Sequence, residues 1–132
     1  MTPLTQRRWA MGVRALLLGS MIACRDTDRM SELGAAETFA GHAERGRALI
    51  RSYGCQTCHT IPGVVGADGQ VGPPLAGIAG RSYIGGVLVN APDNMIRWIL
   101  DPKSVDPLSA MPNVGVTRSD ARHIAAYLYT LR

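Results

Sequence analysis

The chain has 132 residues, enough for one domain preceded by an export segment. Aromatic residues make up only 5% with a single Phe, which is a thin supply for a conventional core, and the 15 glycines and 8 prolines indicate short helices joined by extended loops. The formal charge of +4 is concentrated in residues 1–24; after residue 24, 11 basic residues face 10 acidic ones, so we expect no nucleic-acid partner.

Residues 1–23 have the parts of a secretory signal peptide. Arg7, Arg8 and Arg14 form a basic n-region, and residues 15–23 form a short apolar h-region. This h-region is too short to cross a bilayer, which requires a helix of about 20 residues. The sequence therefore predicts that the chain is exported and that this segment is removed.

The cysteine at position 24 follows the apolar segment directly, in the sequence MIAC, which resembles a bacterial lipobox. In that motif the cysteine is lipidated and becomes the first mature residue. The alternative is an ordinary cleavage site beside an incidental cysteine, but an unpaired thiol is a hazard in an oxidising compartment. We predict a lipid anchor at Cys24, followed by a flexible tether over residues 24–41 with a reach of roughly 20–25 Å.

The first predicted helix spans residues 42–54. Ala43, Leu49 and Ile50 place an apolar stripe on one of its faces. Gly46 lies inside the helix, where glycine costs about 1 kcal/mol relative to alanine. A glycine in this position indicates that another backbone approaches the helix closely.

Residues 55–59 read CQTCH, the C-x-x-C-H pattern for covalent attachment of a c-type haem. In this chemistry the thiols of Cys55 and Cys58 add to the two vinyl groups of one porphyrin edge, and His59 supplies the proximal iron ligand. A buried porphyrin would also provide apolar mass that the side chains lack. The sequence contains one such motif and therefore implies one haem. Export agrees with the motif, because haem c is attached outside the bacterial inner membrane.

Three other uses of the cysteine pair fit the sequence less well. A thioredoxin-like motif follows a buried strand, whereas residues 44–53 have a helical pattern. A zinc site needs four ligands, so the motif would have to recruit His42 or His123. A disulfide between the two cysteines would be strained at this spacing.

Loops and two further helices make up the rest of the chain. Pro102 is expected to end the first of these helices, and Ser119 or Thr117 to cap the second. The second of them carries its apolar residues on one face. The predicted order is a loop over 61–86 with at most one helical turn, a helix over 93–100, a loop over 101–115 and a helix over 119–131.

From residue 42 to residue 132 the sequence resembles a small class I c-type cytochrome. The resemblance implies an all-α domain of three to four short helices and long loops around one covalently bound haem. Gly46 and Ile50 in the first helix and Tyr127 in the last resemble the family's two terminal helices, which cross at close range.

The resemblance also implies roles for residues outside the C-x-x-C-H motif. The sequence GPPL at residues 72–75 resembles the family's G-P-x-L, in which the proline carbonyl, here that of Pro73, accepts a hydrogen bond from the proximal histidine, His59. Arg81 follows a glycine and resembles the family's arginine that contacts a haem propionate. Trp98 resembles the tryptophan that packs near the propionates.

Three side chains after the motif are candidates for the sixth iron ligand: Met95, Met111 and His123. Met111 lies in the sequence AMPN, which resembles the family's ligand loop, 52 residues beyond His59. Met95 falls on a predicted helix, where methionine is more often part of the core. His123 is expected to be solvated, and so is His42. We therefore predict His59 and Met111 as the two metal ligands.

With both axial positions filled, the iron offers no site to a substrate, so the sequence predicts a one-electron carrier without catalytic residues and not an enzyme. The expected partners are a quinol-oxidising complex or dehydrogenase and a terminal oxidase. The expected location is the periplasmic side of a bacterial membrane, where the protein acts as a lipid-anchored monomer. The basic ring by which mitochondrial members recognise partners is thin here, with Lys103 as the single lysine.

Two alternatives remain open at this point. The chain is equally compatible with a haem c subunit or electron-entry module of a larger membrane-bound oxidase or dehydrogenase. A gas-binding or peroxidatic haem protein would require five-coordinate iron or an easily displaced Met111.

Overall fold

The computed structural model describes residues 41–132, so the predicted signal peptide, Cys24 and most of the predicted tether lie outside the described residues. The described part is mostly helical with long loops, which confirms the predicted fold class. Its elements are the helices α1 (Ala43–Ser52), α2 (Pro92–Leu100), α3 (Pro102–Val105) and α4 (Arg118–Leu128), with the antiparallel strands β1 (Tyr83–Ile84) and β2 (Leu88–Val89).

The longer helices form where the hydrophobic pattern predicts them, and local signals set their ends. Thr117 caps α4, because its side-chain oxygen accepts a hydrogen bond from the amide of Asp120 at 3.1 Å. Helix α2 begins at Pro92, a position whose amide has no partner inside the helix. Within residues 41–132 none of the helices combines the length and the hydropathy needed to cross a membrane.

Two segments predicted as loop contain short regular elements. In the first, Gly85 and Gly86 form a turn with positive φ angles of 58° and 79° between β1 and β2, and β2 lies just beyond the predicted loop. In the second, Asp101 caps the four-residue helix α3 by accepting a hydrogen bond from the amide of Ser104 at 3.3 Å. Both elements are too short for the periodicity on which the prediction relied.

Helices α1 and α4 cross in direct backbone contact at Gly46. A Cβ atom at this position would lie 1.9 Å from the carbonyl oxygen of His123. Gly41, just before α1, is also restricted, though less tightly, because its Cβ would lie 2.6 Å from the carbonyl oxygen of Arg122. The glycine inside α1 therefore has the packing reason that the sequence indicated.

The core lies between α1, α2 and α4, and one of its members joins α4 to the loop after the C-x-x-C-H motif. The buried hydroxyl of Tyr127 donates a hydrogen bond to the carbonyl of Pro62 at 2.5 Å. The large apolar residues of the core that are no more than 5% exposed are Ile50, Ile61, Ile84, Met95, Ile96, Ile124 and Leu128.

The prediction that His123 is solvated is wrong, because its side chain is only 9% exposed. The close helix crossing covers this face of α4 with the start of α1. The Nδ1 atom of His123 accepts a hydrogen bond from the backbone amide of His42 at 2.8 Å, and the two rings stack with their centroids 5.6 Å apart. His42 itself is exposed, as predicted.

Burial lowers the pKa of His123, the positive charges of Arg45 and His42 lower it further, and the carboxylate of Asp120 opposes them. The hydrogen bond from His42 also disfavours protonation of His123, because Nδ1 can accept this bond only while it is unprotonated. Between the lowered pKa and the ordinary value of 6.5, the unfolded chain binds a proton that the folded chain does not. Stability from this group is therefore complete above pH 6.5 and is lost as the pH falls below it.

We expect thermal unfolding of the holoprotein to move to lower temperature between about pH 7.5 and about pH 5. His123→Asn keeps an acceptor near the Nδ1 position but does not titrate, so this variant should lose less stability over the same interval. Scanning calorimetry of both proteins at several pH values measures the difference. Identical pH profiles would show that His123 does not link protonation to folding.

Candidate cofactor-binding cavity

A cavity of about 390 Å³ lies in the core, within the size range of small-molecule and cofactor sites. Its walls are apolar except for a few polar side chains, among them His59, Ser109 and the single charged lining residue, Asp106. Six of the seven predicted cofactor-binding residues line this one cavity: Cys55, Cys58, His59, Pro73, Trp98 and Met111.

The two cysteines reach the cavity because the chain turns sharply after α1. Gly54 has a φ angle of 77°, which ends the helix and starts a short 3-10 turn over Cys55–Thr57. The amides of Cys58 and His59 both donate to the carbonyl of Cys55, at 3.2 and 3.0 Å. No disulfide joins the two cysteines, and burial raises the pKa of the Cys55 thiol.

The imidazole of His59 is fixed by the loop that follows it. Its Nδ1 atom lies 2.7 Å from the carbonyl oxygen of Pro73, and a carbonyl can only accept, so Nδ1 carries the proton. The Nε2 lone pair is therefore left for a metal ion. Gly72 makes room for the ring, since a Cβ at this position would lie 2.3 Å from the Cε1 atom of His59. The amide of Gly72 donates to the carbonyl of Cys58 at 2.8 Å and anchors the loop.

Two methionines face the cavity from different elements. Met111 lies in the loop before α4 and is partly buried, and its amide donates to the Ser109 hydroxyl at 3.2 Å. Met95 projects from α2 and is 2% exposed, as expected for a core residue. His123, the third candidate for the sixth ligand, is not among the lining residues.

Of the two residues predicted to lie near the propionates, Trp98 lines the cavity and Arg81 does not. Trp98 lines the cavity from α2, and the turn between β1 and β2 packs on its ring, since a Cβ at Gly85 would lie 2.4 Å from the Cη2 atom. Arg81 does not line the cavity; its guanidinium donates to the carbonyls of Pro74 and Ala76, at 2.5 and 3.1 Å. Its contact with a propionate stays a prediction, and the observed bonds assign it to holding the loop.

Several walls of the cavity include residues that the sequence did not single out as site residues, among them Ile99, Ile124 and Leu128. Met95, Trp98 and Ile99 face it from α2 at steps of three and four residues, the spacing of one helix face. Ile124 and Leu128 face it from α4 with the same spacing. The helical period is the signal that predicts which residues share a wall.

The donor set and the cavity fit a covalently attached haem. Two free thiols, an imidazole with an available Nε2 and a thioether open onto one largely apolar space. A zinc site fits poorly, because His42 and His123 pair with each other at the helix crossing and not with the cysteines. Across residues 41–132 no three His, Cys, Asp or Glu side chains are grouped closely enough to hold a metal ion.

Comparison with known proteins agrees with this geometry. The family profile described as Cytochrome c matches residues 43–132. Cytochrome c oxidase subunit 2 of Alkalihalophilus pseudofirmus is 31% identical over 91 residues, which cover 68% of this chain and 26% of that protein. Cytochrome c oxidase subunit 2 of Bacillus subtilis is 29% identical over 89 residues, covering 66% and 25%. The chain thus spans about a quarter of these relatives. It belongs to the cytochrome c family of electron-transfer proteins, whose members carry covalently bound haem c.

Proposed function

We propose that the chain is a one-electron carrier with one haem c, attached through Cys55 and Cys58 and ligated by His59 and Met111. The observation that carries this proposal is the meeting of these four side chains at one cavity. A haem in this position supplies a reversible one-electron couple at its iron.

The protein's own groups tune that couple in three ways. The carbonyl of Pro73 holds the Nδ1 proton of His59, which orients the ring and makes Nε2 a better donor. The thioether of Met111 is a soft ligand that favours the reduced state. The apolar walls exclude water and disfavour the additional positive charge of the oxidised state, which also raises the potential.

The visible spectra of the oxidised and reduced protein test this proposal. Purified from cells that attach haem c, the protein should cycle between a ferricyanide-oxidised and an ascorbate-reduced form with a low-spin spectrum. Carbon monoxide should leave the reduced spectrum unchanged, because His59 and Met111, as the two proposed ligands, would leave no coordination position open on the iron. A spectrum that shifts with carbon monoxide would instead favour the gas-binding or peroxidatic function.

On the acceptor side we propose a terminal oxidase, and on the donor side a quinol-oxidising complex or a dehydrogenase. Support for the oxidase comes from the two relatives, since the matched part of each belongs to a protein named as an oxidase subunit. The same similarity supports a second candidate, in which this chain is a haem c subunit of a larger oxidase. Copurification with an oxidase after detergent extraction would favour the hypothesis of an oxidase subunit. Recovery as a free monomer would favour the hypothesis of a free electron carrier.

We further propose that the protein is held on the periplasmic side of a bacterial membrane by a lipid on Cys24. The support is the lipobox-like sequence and the signal-peptide pattern before it. Cys24→Ser should move most of the protein from the membrane fraction to the soluble periplasmic fraction, as followed by haem stain after cell fractionation. An unchanged distribution would contradict the anchor.

A further inference from the structure

Among the described residues that line the cavity, Asp106 is the only one with an acidic or basic side chain of permanent type, and the walls around it are largely apolar. Within residues 41–132, no Lys, Arg or His side chain lies close enough to Asp106 to form an ion pair. A carboxylate in apolar surroundings loses hydration, and here no cation of the protein compensates for that loss. The stability of the fold therefore does not explain a charge at this position.

The backbone fixes Asp106 at the end of α3. Its amide donates to the carbonyl of Pro102 at 2.9 Å, and its carbonyl accepts a hydrogen bond from the amide of Ser109 at 3.0 Å. The Oδ1 atom of its side chain accepts from the amide of Leu108 at 3.0 Å, which is the bond of an Asx turn. The protein chain itself therefore sets the position of the carboxylate.

The same segment carries the proposed sixth ligand. The hydroxyl of Ser109 accepts a hydrogen bond from the amide of Met111 at 3.2 Å, while the amide of Ser109 donates to Asp106. Asp106 and Met111 both line the cavity, as do the two cysteines and the histidine of the C-x-x-C-H motif. A cofactor held by these side chains therefore shares its cavity with the carboxylate of Asp106.

A haem iron carries one more positive charge in its oxidised state than in its reduced state. A nearby carboxylate stabilises the oxidised state, most strongly in the low-dielectric surroundings of an apolar cavity. We propose that Asp106 lowers the reduction potential of the cofactor and so opposes Met111 and the apolar walls, which raise it. This proposal rests on the proposed function, because it requires a haem in the cavity. The lower potential makes the reduced protein a stronger electron donor to its acceptor.

Asp106→Asn removes the charge and keeps an oxygen that can accept the hydrogen bond from the amide of Leu108. In a redox titration of the full-length holoprotein, the equilibrium should move about tenfold towards the reduced state, an increase of about 59 mV for a one-electron couple. The sulfur-to-iron charge-transfer band should be retained, because the Met111 side chain is unchanged. Asp106→Glu keeps the charge, so its potential should lie closer to that of the wild type than to that of Asp106→Asn.

Asp101, at the other end of α3, provides the matched control. Its side chain also accepts a hydrogen bond from a backbone amide, that of Ser104 at 3.3 Å, and it is partly buried like Asp106. Asp101 does not line the cavity. Asp101→Asn therefore removes the same charge from the same part of the chain, and its redox equilibrium should stay within about twofold of the wild type.

Three results would overturn the proposal. An unchanged or lower potential in Asp106→Asn would mean that this charge does not act on the cofactor. Equal increases in Asp106→Asn and Asp101→Asn would mean that the net charge of the protein matters and not its place. Loss of the charge-transfer band in Asp106→Asn, or an Asp106→Glu variant that titrates like Asp106→Asn, would mean that Asp106 acts through the geometry of its loop. The proposed function fails separately, if the wild-type protein carries no haem or does not cycle between oxidation states.

Discussion

Replacing Gly46 with Ala should prevent the domain from folding stably around its cofactor. The new Cβ would lie 1.9 Å from the carbonyl oxygen of His123 and 2.5 Å from its carbonyl carbon. Both atoms belong to the backbone of α4, so no side-chain rotation relieves the clash, and the two helices must move apart. Overpacking a core typically costs 1–3 kcal/mol, and we expect about 3 kcal/mol or more here. Thermal unfolding and the yield of haem-containing protein measure the effect.

Gly80→Ala is the matched control for this change. A Cβ at Gly80 would have no neighbour within 4 Å, and Gly80 is not among the glycines with positive φ. We expect its stability to stay within about 0.5 kcal/mol of the wild type. If Gly46→Ala unfolded at the same temperature as Gly80→Ala, backbone contact would not be what requires glycine inside α1.

Met111→Ala should abolish the sulfur-to-iron charge-transfer band of the oxidised protein and lower its reduction potential. The thioether is a soft ligand that favours ferrous iron, so its loss stabilises the oxidised state. A hundredfold preference for the reduced state corresponds to about 120 mV at 59 mV per tenfold, so we expect a decrease on the order of 100 mV. Absorption spectroscopy and a redox titration of the purified variant measure the two changes.

Met95→Leu distinguishes the two methionines that line the cavity. Met95 is 2% exposed on α2, and leucine conserves its volume at a cost below about 1.5 kcal/mol. If Met111 is the ligand, Met95→Leu keeps the charge-transfer band. Loss of the band in Met95→Leu and its retention in Met111→Ala would identify Met95 as the ligand instead.

Local sequence signals predicted those elements of the fold that depend on residues close together in the chain. The periodicity of apolar residues located the two terminal helices, and Gly46 indicated the close crossing that the structure contains. The hairpin was missed, although Gly85 and Gly86 between apolar residues are a recognised turn signal. The burial of His123 could not be predicted in this way, because the face of α4 that α1 covers is a property of the tertiary packing.

The same distinction, between what neighbouring residues determine and what tertiary packing determines, applies to the cofactor-binding cavity. The C-x-x-C-H motif is contiguous, so the sequence alone brings Cys55, Cys58 and His59 together. The remaining walls come from elements distant in sequence. Helical spacing groups Met95 with its neighbours on one face, but only packing determines that this face borders the cavity. Arg81 matches a family pattern, yet its guanidinium is bonded to nearby carbonyls, which no pattern in the sequence indicated.

The central claim is that one haem is bound covalently through Cys55 and Cys58. Mass spectrometry of the intact, denatured protein tests it most directly, after production in cells that also load a known c-type cytochrome. We predict a single species heavier than the exported polypeptide, with any lipid accounted for, by the mass of one haem, and the same band should retain haem stain on a denaturing gel. A polypeptide without added haem mass, while the control cytochrome is fully loaded, would contradict the account.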